Sequence, residues 1–200
     1  MKTATVIGFL GLLFVVEPLS AAENAPIVYE LDISVHEQVE PLDPAHVKQV
    51  LESASSLLQH CNVKFELRSI GAFGSAPKQV KDAASLEAVQ SVTAHVKVVQ
   101  SLTFCRPGNN NDNSVINGCA WRDNGLSRTV ILRRGAIDTA ALLAHEFGHT
   151  KGLPHRNDTS ALMFCRPGHM SGTNVTADEC KCFREGCPIP DPEPNIQCGQ

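Results

Sequence analysis

The sequence predicts an α/β (α+β) fold, in which helices pack against a β-sheet. The prediction rests on the order of the elements, which is strand, helix, strand, strand, strand, helix. Strands are indicated by alternating or β-prone apolar residues, and helices by apolar residues that recur every three or four positions. The apolar content of the 200 residues is 42%, which is sufficient for a hydrophobic core.

The first strand, helix and second strand follow directly from the residue pattern. The segment PIVYELDISV (26–35) alternates apolar and polar residues, as a strand with one buried face does. A helix then begins with Asp43 as the expected N-cap and Pro44 at the first helical position. Its apolar stripe consists of residues 47, 50, 51, 54, 57 and 58. The segment VKFELRSI (63–70) alternates again and predicts a second strand.

The middle of the chain holds further strands and a long loop. Residues 77–92 are ambiguous and could be helical, whereas HVKVVQSL (95–102) is a third strand candidate. The segment 106–119 is rich in asparagine and glycine and predicts a long loop. The end of that loop, 117–121, could form a short edge strand. The segment RTVILRR (128–134) is strongly β-prone.

The second long helix is predicted over residues 136–152. Asp138 or Thr139 could cap its beginning, and Gly152 is positioned to end it. One more helix is predicted after Met163, near 177–186, because the segment TADE (176–179) fits a capping box. A proline-rich tail, 188–200, follows.

The N-terminus has the layout of a secretory signal peptide, which we place at residues 1–22. Lys2 precedes an apolar run over 6–16, and small residues follow up to Ala22. The alternative, a membrane anchor, is disfavoured because a helix needs about 20 apolar residues to cross a bilayer. We therefore expect a protein that is secreted, or periplasmic in a bacterium, with no membrane span.

Charge and cysteine content narrow the class of protein further. The formal net charge of −4 argues against a nucleic-acid binder, which would carry a basic face. The eight cysteines all lie after the signal peptide, and an even number in a secreted chain favours disulfides. The alternative, a cysteine zinc site, would usually show paired C-x-x-C spacing, which CKCFREGC lacks. The pairing of the cysteines stays open.

Three histidines are grouped in LLAHEFGHTKGLPHRNDTSALMF (142–164). His145 and His149 are four residues apart on the predicted helix and therefore project from the same face. Gly152 permits the positive φ with which the chain can leave the helix sharply, so His155 is delivered toward the other two. Three neutral imidazoles on this frame suit Zn²⁺ with a fourth position open for water.

The glutamate beside the first of these histidines indicates catalysis. Glu146 points about 100° around the helix axis from His145, so it can reach a water on the metal and not the metal itself. A structural zinc is usually closed by four protein ligands, whereas this site is open. The remaining histidines lack paired spacing and are expected on the surface or in loops: 36, 46, 60, 95 and 169.

The segments HEFGHTKGLPH and SALMF resemble the metzincin clan of zinc endopeptidases, which share H-E-x-x-H-x-x-G-x-x-H and a later Met-turn. The resemblance implies that His145, His149 and His155 bind zinc and that Glu146 is the general base. Met163 would form the Met-turn and pack beneath the histidines.

The resemblance also implies a fold and a place within the clan. The fold is a twisted mixed sheet with one antiparallel edge strand, two long helices and a small cysteine-rich C-terminal subdomain. The catalytic domain would span 23–187, with an upper part to about 152 and a lower part over 153–187. The residue after the third histidine often marks the family within the clan, and Arg156 at this position matches none of the common choices. A metal-binding tyrosine is not expected, since Cys165 holds its position and Tyr29 is the only tyrosine; a matrixin-like site fits best.

The implied activity is hydrolysis of protein or peptide substrates by a monomeric, secreted endopeptidase with one Zn²⁺. Glu146 would take a proton from the zinc-activated water and pass it to the leaving amine. An extended substrate would lie along the edge strand, which comprises Asn117, Gly118, Cys119, Ala120 and Trp121. The alternative is a catalytically weak secreted protein that keeps this frame and binds a partner.

Overall fold

The computed structural model describes residues 25–105, 115–120, 129–137, 139–164 and 172–188. Several predictions concern residues outside this part of the chain: the signal peptide (1–22), Trp121, Asp138, Cys165 and the tail from residue 189 onward.

Seven strands and four α-helices lie in the described residues. The strands are β1 (Ile27–His36), β2 (Val63–Phe73), β3 (Gln79–Val80), β4 (Val96–Val99), β5 (Ser101–Leu102), β6 (Gly118–Cys119) and β7 (Val130–Arg133). The helices are α1 (Pro44–Leu57), α2 (Ala83–Gln90), α3 (Ala140–Thr150) and α4 (Ala177–Glu185). The two predicted long helices are α1 and α3. The ambiguous segment before β4 contains β3 and α2, and the third strand candidate is divided into β4 and β5.

The main sheet has the strand order β2-β1-β4-β7-β6. Its first four strands are parallel, and β6 pairs with β7 in the antiparallel direction at the edge. This arrangement confirms the predicted mixed sheet with one antiparallel edge strand. Strands β3 and β5 form a separate parallel pair.

Apolar side chains fill a core on each face of the main sheet. On one face, residues of α1 and α3 such as Leu51 and Leu143 pack with Ile33 and Val98 of the central strands. On the other face, residues of α2 pack with Val99 and neighbouring strand residues. Helix α3 lies close to the edge strand β6, and the site described below lies at this end of the sheet.

The local signals at the helix termini agree with the sequence. The side chain of Asp43 accepts a hydrogen bond from the backbone N–H of Ala45 at 3.0 Å, and Pro44 is the first residue of α1. Thr176 and Glu179 form the predicted capping box of α4. Thr139 is the N-cap residue of α3, but its side chain makes no capping hydrogen bond.

Three disulfides are present in the described residues, as predicted for a secreted chain. Cys61–Cys180 joins the end of the α1 region to α4, Cys105–Cys119 joins β6 to the chain after β5, and Cys182–Cys187 closes the end of α4. The cysteines of CKCFREGC are therefore bonded to sulfur and do not form a zinc site. Within the described residues no helix has the length and apolarity to cross a bilayer.

Lys97 is a charged residue in the middle of the main sheet. It lies on β4, opposite Ser34 and Ile131 on the neighbouring strands, and is fully buried. Its Nζ donates to the carbonyl oxygen of Gln90 at 3.3 Å. Burial lowers the pKa of Lys97 to about 8, because the charged form loses hydration in the core.

We expect the Lys97→Met variant to be more stable than the wild type by about 3 kcal/mol at pH 7, where the folded and the unfolded chain both hold the proton. Between about pH 8 and 10.5 the folded wild type releases its proton before the unfolded chain does, so most of this difference should be lost by pH 10. Urea unfolding at pH 7 and pH 10 measures the difference. The same substitution at the exposed Lys48 is the control, and a difference independent of pH would contradict the interpretation.

Candidate metal centre

The three predicted ligand histidines come together at the end of α3. The Nε2 atom of His149 is 3.1 Å from Nε2 of His145 and 3.1 Å from Nε2 of His155. The Zn–N distance of 2.0–2.1 Å places two nitrogens of a tetrahedral site about 3.3 Å apart. The spacing of the three atoms therefore fits ligands of one ion.

The protonation of the rings also fits a cation. Nδ1 of His145 donates to the carbonyl oxygen of Leu162 at 2.7 Å, and Nδ1 of His149 donates to that of Leu153 at 2.8 Å. A neutral imidazole that donates through Nδ1 has only a lone pair on Nε2. Two lone pairs thus face each other across 3.1 Å, an arrangement that a shared cation stabilises, and the carbonyls orient the rings as outer partners of metal ligands do.

Burial favours the neutral form of the first imidazole. His145 is 2% exposed, and burial lowers its pKa, while the hydrogen bond to the carbonyl of Leu162 acts in the opposite direction. A neutral ring is the form that binds a metal.

Gly152 is required for two separate reasons at the end of α3. Its φ is +102°, a backbone conformation that residues with a Cβ rarely adopt. In addition, a Cβ at this position would lie 2.5 Å from the carbonyl oxygen of Cys187. The segment after α4 crosses directly over the turn, and the backbone N–H of Cys187 donates to the carbonyl of Lys151 at 2.7 Å.

We expect Gly152→Ala to lower the free energy of unfolding by more than about 3 kcal/mol, since backbone strain alone costs about 1–3 kcal/mol and the contact with Cys187 adds to it. Gly186→Ala is a matched control: φ is +79° there, but the nearest atom to an added Cβ is 3.9 Å away. Denaturant unfolding of both variants separates the two costs. If both variants lost the same free energy of unfolding, the contact between the new Cβ and Cys187 would add no cost.

Met163 packs against α3 at Gly148, which lies between the first two histidines in the sequence. It is fully buried, and a Cβ on Gly148 would lie 2.7 Å from its Sδ. The preceding residue, Leu162, provides the carbonyl that holds His145. The turn at Met163 therefore touches the helix both through its sulfur and through its backbone.

The side chain of Glu146 lies against the edge strand. It is 5% exposed, and a Cβ on Gly118 would be only 2.7 Å from its Cγ and Oε1. Burial raises the pKa of Glu146 to about 8, and a hydrogen bond from the backbone N–H of Ala120 acts in the opposite direction. A cation at the three imidazoles would also favour the carboxylate form.

Part of the predicted edge strand, 117–121, is present as a strand. Gly118 and Cys119 make up β6, and Ala120 follows it. Asn117 precedes β6 and is held by Arg133, whose Nη2 donates to Asn117 Oδ1 at 2.8 Å. Cys119 is 1% exposed, and its sulfur is bonded to that of Cys105.

Two residues outside the histidine cluster, His36 and Tyr29, are buried and half-buried, respectively. The surface or loop position expected for His36 is wrong, because this ring is 4% exposed and is hydrogen-bonded to the backbone of Gln38 and Ala76. Tyr29 lies near the C-terminal end of α4, where its hydroxyl donates a hydrogen bond to the carbonyl oxygen of Phe183 at 2.7 Å.

Sequence reasoning missed two contacts near the site. The space for the Glu146 side chain depends on Gly118 having no side chain. Arg156, which had matched no common pattern, forms an ion pair with Glu179 at the beginning of α4. Neither contact leaves a periodic signal in the sequence, since the partners are 28 and 23 positions apart.

Comparison with known proteins agrees with this geometry. Residues 35–182 match the model of the Matrixin family. An archaemetzincin from Methanopyrus kandleri has a similar fold, with a TM-score of 0.50 and 14% identity over 77% of this chain and 93% of its own. Metalloproteinase-II from Bacteroides fragilis gives a TM-score of 0.51 and 14% identity over 84% of this chain and 56% of its own.

At this level of identity the structural similarity concerns the fold, and no curated protein matches the chain. The family match includes most of the main sheet, all of α3 and the beginning of α4. The chain therefore belongs to the matrixin family and is a zinc-dependent metallopeptidase.

Proposed function

We propose that the protein is a secreted endopeptidase whose zinc ion is held by His145, His149 and His155, with Glu146 as the general base. The observation that carries the proposal is the convergence of three Nε2 atoms, two of which present lone pairs to each other at 3.1 Å. A zinc ion bound by such a set supplies a Lewis acid for the scissile carbonyl and a water that ionises near neutral pH.

The position of Glu146 on α3 supports its proposed role as the general base. Its carboxylate is one residue from a proposed ligand but is directed at Gly118 and Ala120 of the edge strand. Its position next to His145 in the chain and against the proposed substrate strand supports a role in activating the attacking water. An Oε atom there can accept the proton of the water and return it to the leaving amine.

The edge strand is the proposed substrate platform. β6 pairs with β7 on one side, so its other edge can hydrogen-bond to an extended peptide through main-chain groups. The disulfide at Cys119 and the Arg133–Asn117 contact fix the strand. A strand held in this way orders little further on binding, which lowers the entropic cost of association.

Secretion is proposed from the N-terminal pattern of residues 1–22 together with the disulfides, which persist in oxidising compartments. The exported chain is expected to begin at Glu23.

The test uses the oxidised, exported protein. Elemental analysis should give one zinc ion per chain, and a chelator should remove both the zinc and the hydrolysis of casein, with recovery when zinc is added back.

His149→Ala should lose the metal, whereas the control His95→Ala changes a surface ring that binds Asp32 and should keep it. Stoichiometric zinc in His149→Ala would refute the ligand set. Full zinc without hydrolysis of any peptide would favour the binding protein instead.

A further inference from the structure

Arg156 follows the third proposed ligand and connects three segments of the chain. Its Nη1 donates to Glu179 Oε2 at 3.1 Å, and its Nη2 donates to Asp158 Oδ2 at 3.0 Å. Its backbone N–H donates to the carbonyl oxygen of Met163 at 2.8 Å. The residue beside His155 is thus bonded to the turn, to the following loop and to α4.

The pair with Glu179 differs from an ordinary surface ion pair. Only 9% of the Glu179 side chain is exposed, and Arg156 is 29% exposed. The same Oε2 also accepts hydrogen bonds from the backbone N–H and the hydroxyl of Thr176, at 2.7 and 3.1 Å. A buried carboxylate needs a partner for its charge, so removal of the guanidinium would cost more here than at an exposed pair.

The contacts of Arg156 lead to the imidazoles by short paths. His155 is its direct neighbour in the chain. The carbonyl that holds His149 belongs to Leu153, three residues earlier, and the carbonyl that holds His145 belongs to Leu162, next to Met163. A shift of Arg156 would therefore move the third ligand and disturb the turn that orients the first.

We propose that Arg156 is a positioning residue for the metal centre: its guanidinium, held between Asp158 and Glu179, fixes the segment that carries His155. Helix α4 thereby becomes a determinant of zinc affinity through Glu179. The proposal rests on the ligand set proposed above.

The test compares zinc affinity in Arg156→Ala, Arg156→Lys and Glu179→Gln. The dissociation constant is measured by competition with a chromophoric chelator, and the visible absorption of the Co²⁺-substituted protein reports the ligand geometry. We expect Arg156→Ala and Glu179→Gln to bind zinc about 10-fold or more weakly, as losses of outer partners of metal ligands do, with an altered Co²⁺ spectrum. Arg156→Lys should be intermediate, because an ammonium cannot bind two carboxylates as a planar fork.

Arg184→Ala is the matched control for lost stability. Arg184 lies on the same helix, and its Nη1 donates to the backbone carbonyls of Cys61 and Asn62. This variant should lower Tm but keep the zinc affinity and the Co²⁺ spectrum of the wild type. The double variant Arg156→Ala/Glu179→Gln should lose less zinc affinity than the sum of the losses in the two single variants, because each single variant already breaks the same interaction.

Wild-type zinc affinity in Arg156→Ala, or in Glu179→Gln if the former does not fold, would overturn the proposal. So would an equal loss of affinity in Arg184→Ala. These outcomes differ from failure of the proposed function, in which the wild type itself lacks zinc or His149→Ala retains it.

Discussion

Glu146→Gln should give a folded protein with a full zinc content that hydrolyses peptides about 10²- to 10⁴-fold more slowly, the range that a general base contributes. Glutamine has nearly the shape of glutamate and can occupy the space in front of Gly118. Its amide cannot accept the proton of the attacking water. The value of kcat/KM on a quenched fluorescent peptide, with zinc measured in the same sample, gives the result.

The matched control for this variant is Glu87→Gln, which changes an exposed glutamate on α2 and should leave kcat/KM unchanged. A wild-type rate in zinc-loaded Glu146→Gln would mean that another group accepts the proton, and it would remove Glu146 from the proposed mechanism while leaving the zinc ligands in place.

Gly118→Ala should lower kcat about 100-fold while zinc remains bound. The new Cβ would lie 2.7 Å from both Cγ and Oε1 of Glu146, so the glutamate side chain has to move away from the edge strand. Displacement of a catalytic group by about 1 Å costs on the order of 10² in rate. KM for short peptides should change less than kcat, because the main-chain groups of β6 stay in place.

Gly71→Ala is the corresponding control in the same sheet. A Cβ there would be 3.6 Å from Ser34 Oγ, an ordinary contact, so kcat should be that of the wild type. If Gly118→Ala also had wild-type kcat, the Glu146 carboxylate would have a second productive position, and the tight contact with the edge strand would have no catalytic consequence.

The grouping of the three histidines could be predicted from the sequence because their spacing is local. His145 and His149 are four residues apart and therefore lie on one face of a helix, and Gly152 indicates a turn after which the chain reaches His155. The alternation of β1 and the apolar stripe of α1 were readable for the same reason. In each of these patterns the residues that form the signal are close together in the sequence.

Features that depend on distant parts of the chain were not readable. The choice of Gly118 as the neighbour of Glu146 follows from β6 lying at the edge beside α3, which no local pattern encodes. The burial of Lys97 was also hidden, because a lysine inside a β-prone run usually faces water. Sequence alone could not pair Arg156 with Glu179, since both are ordinary surface residue types.

The Cys61–Cys180 bond has a consequence for a protease exposed to its own activity. The two cysteines are 119 positions apart, so they close a covalent ring that includes the edge strand, α3 and the three imidazoles. A single self-inflicted cut anywhere inside this ring leaves both fragments joined through sulfur. Such nicked molecules would migrate as one species on a non-reducing gel and separate only after thiol treatment.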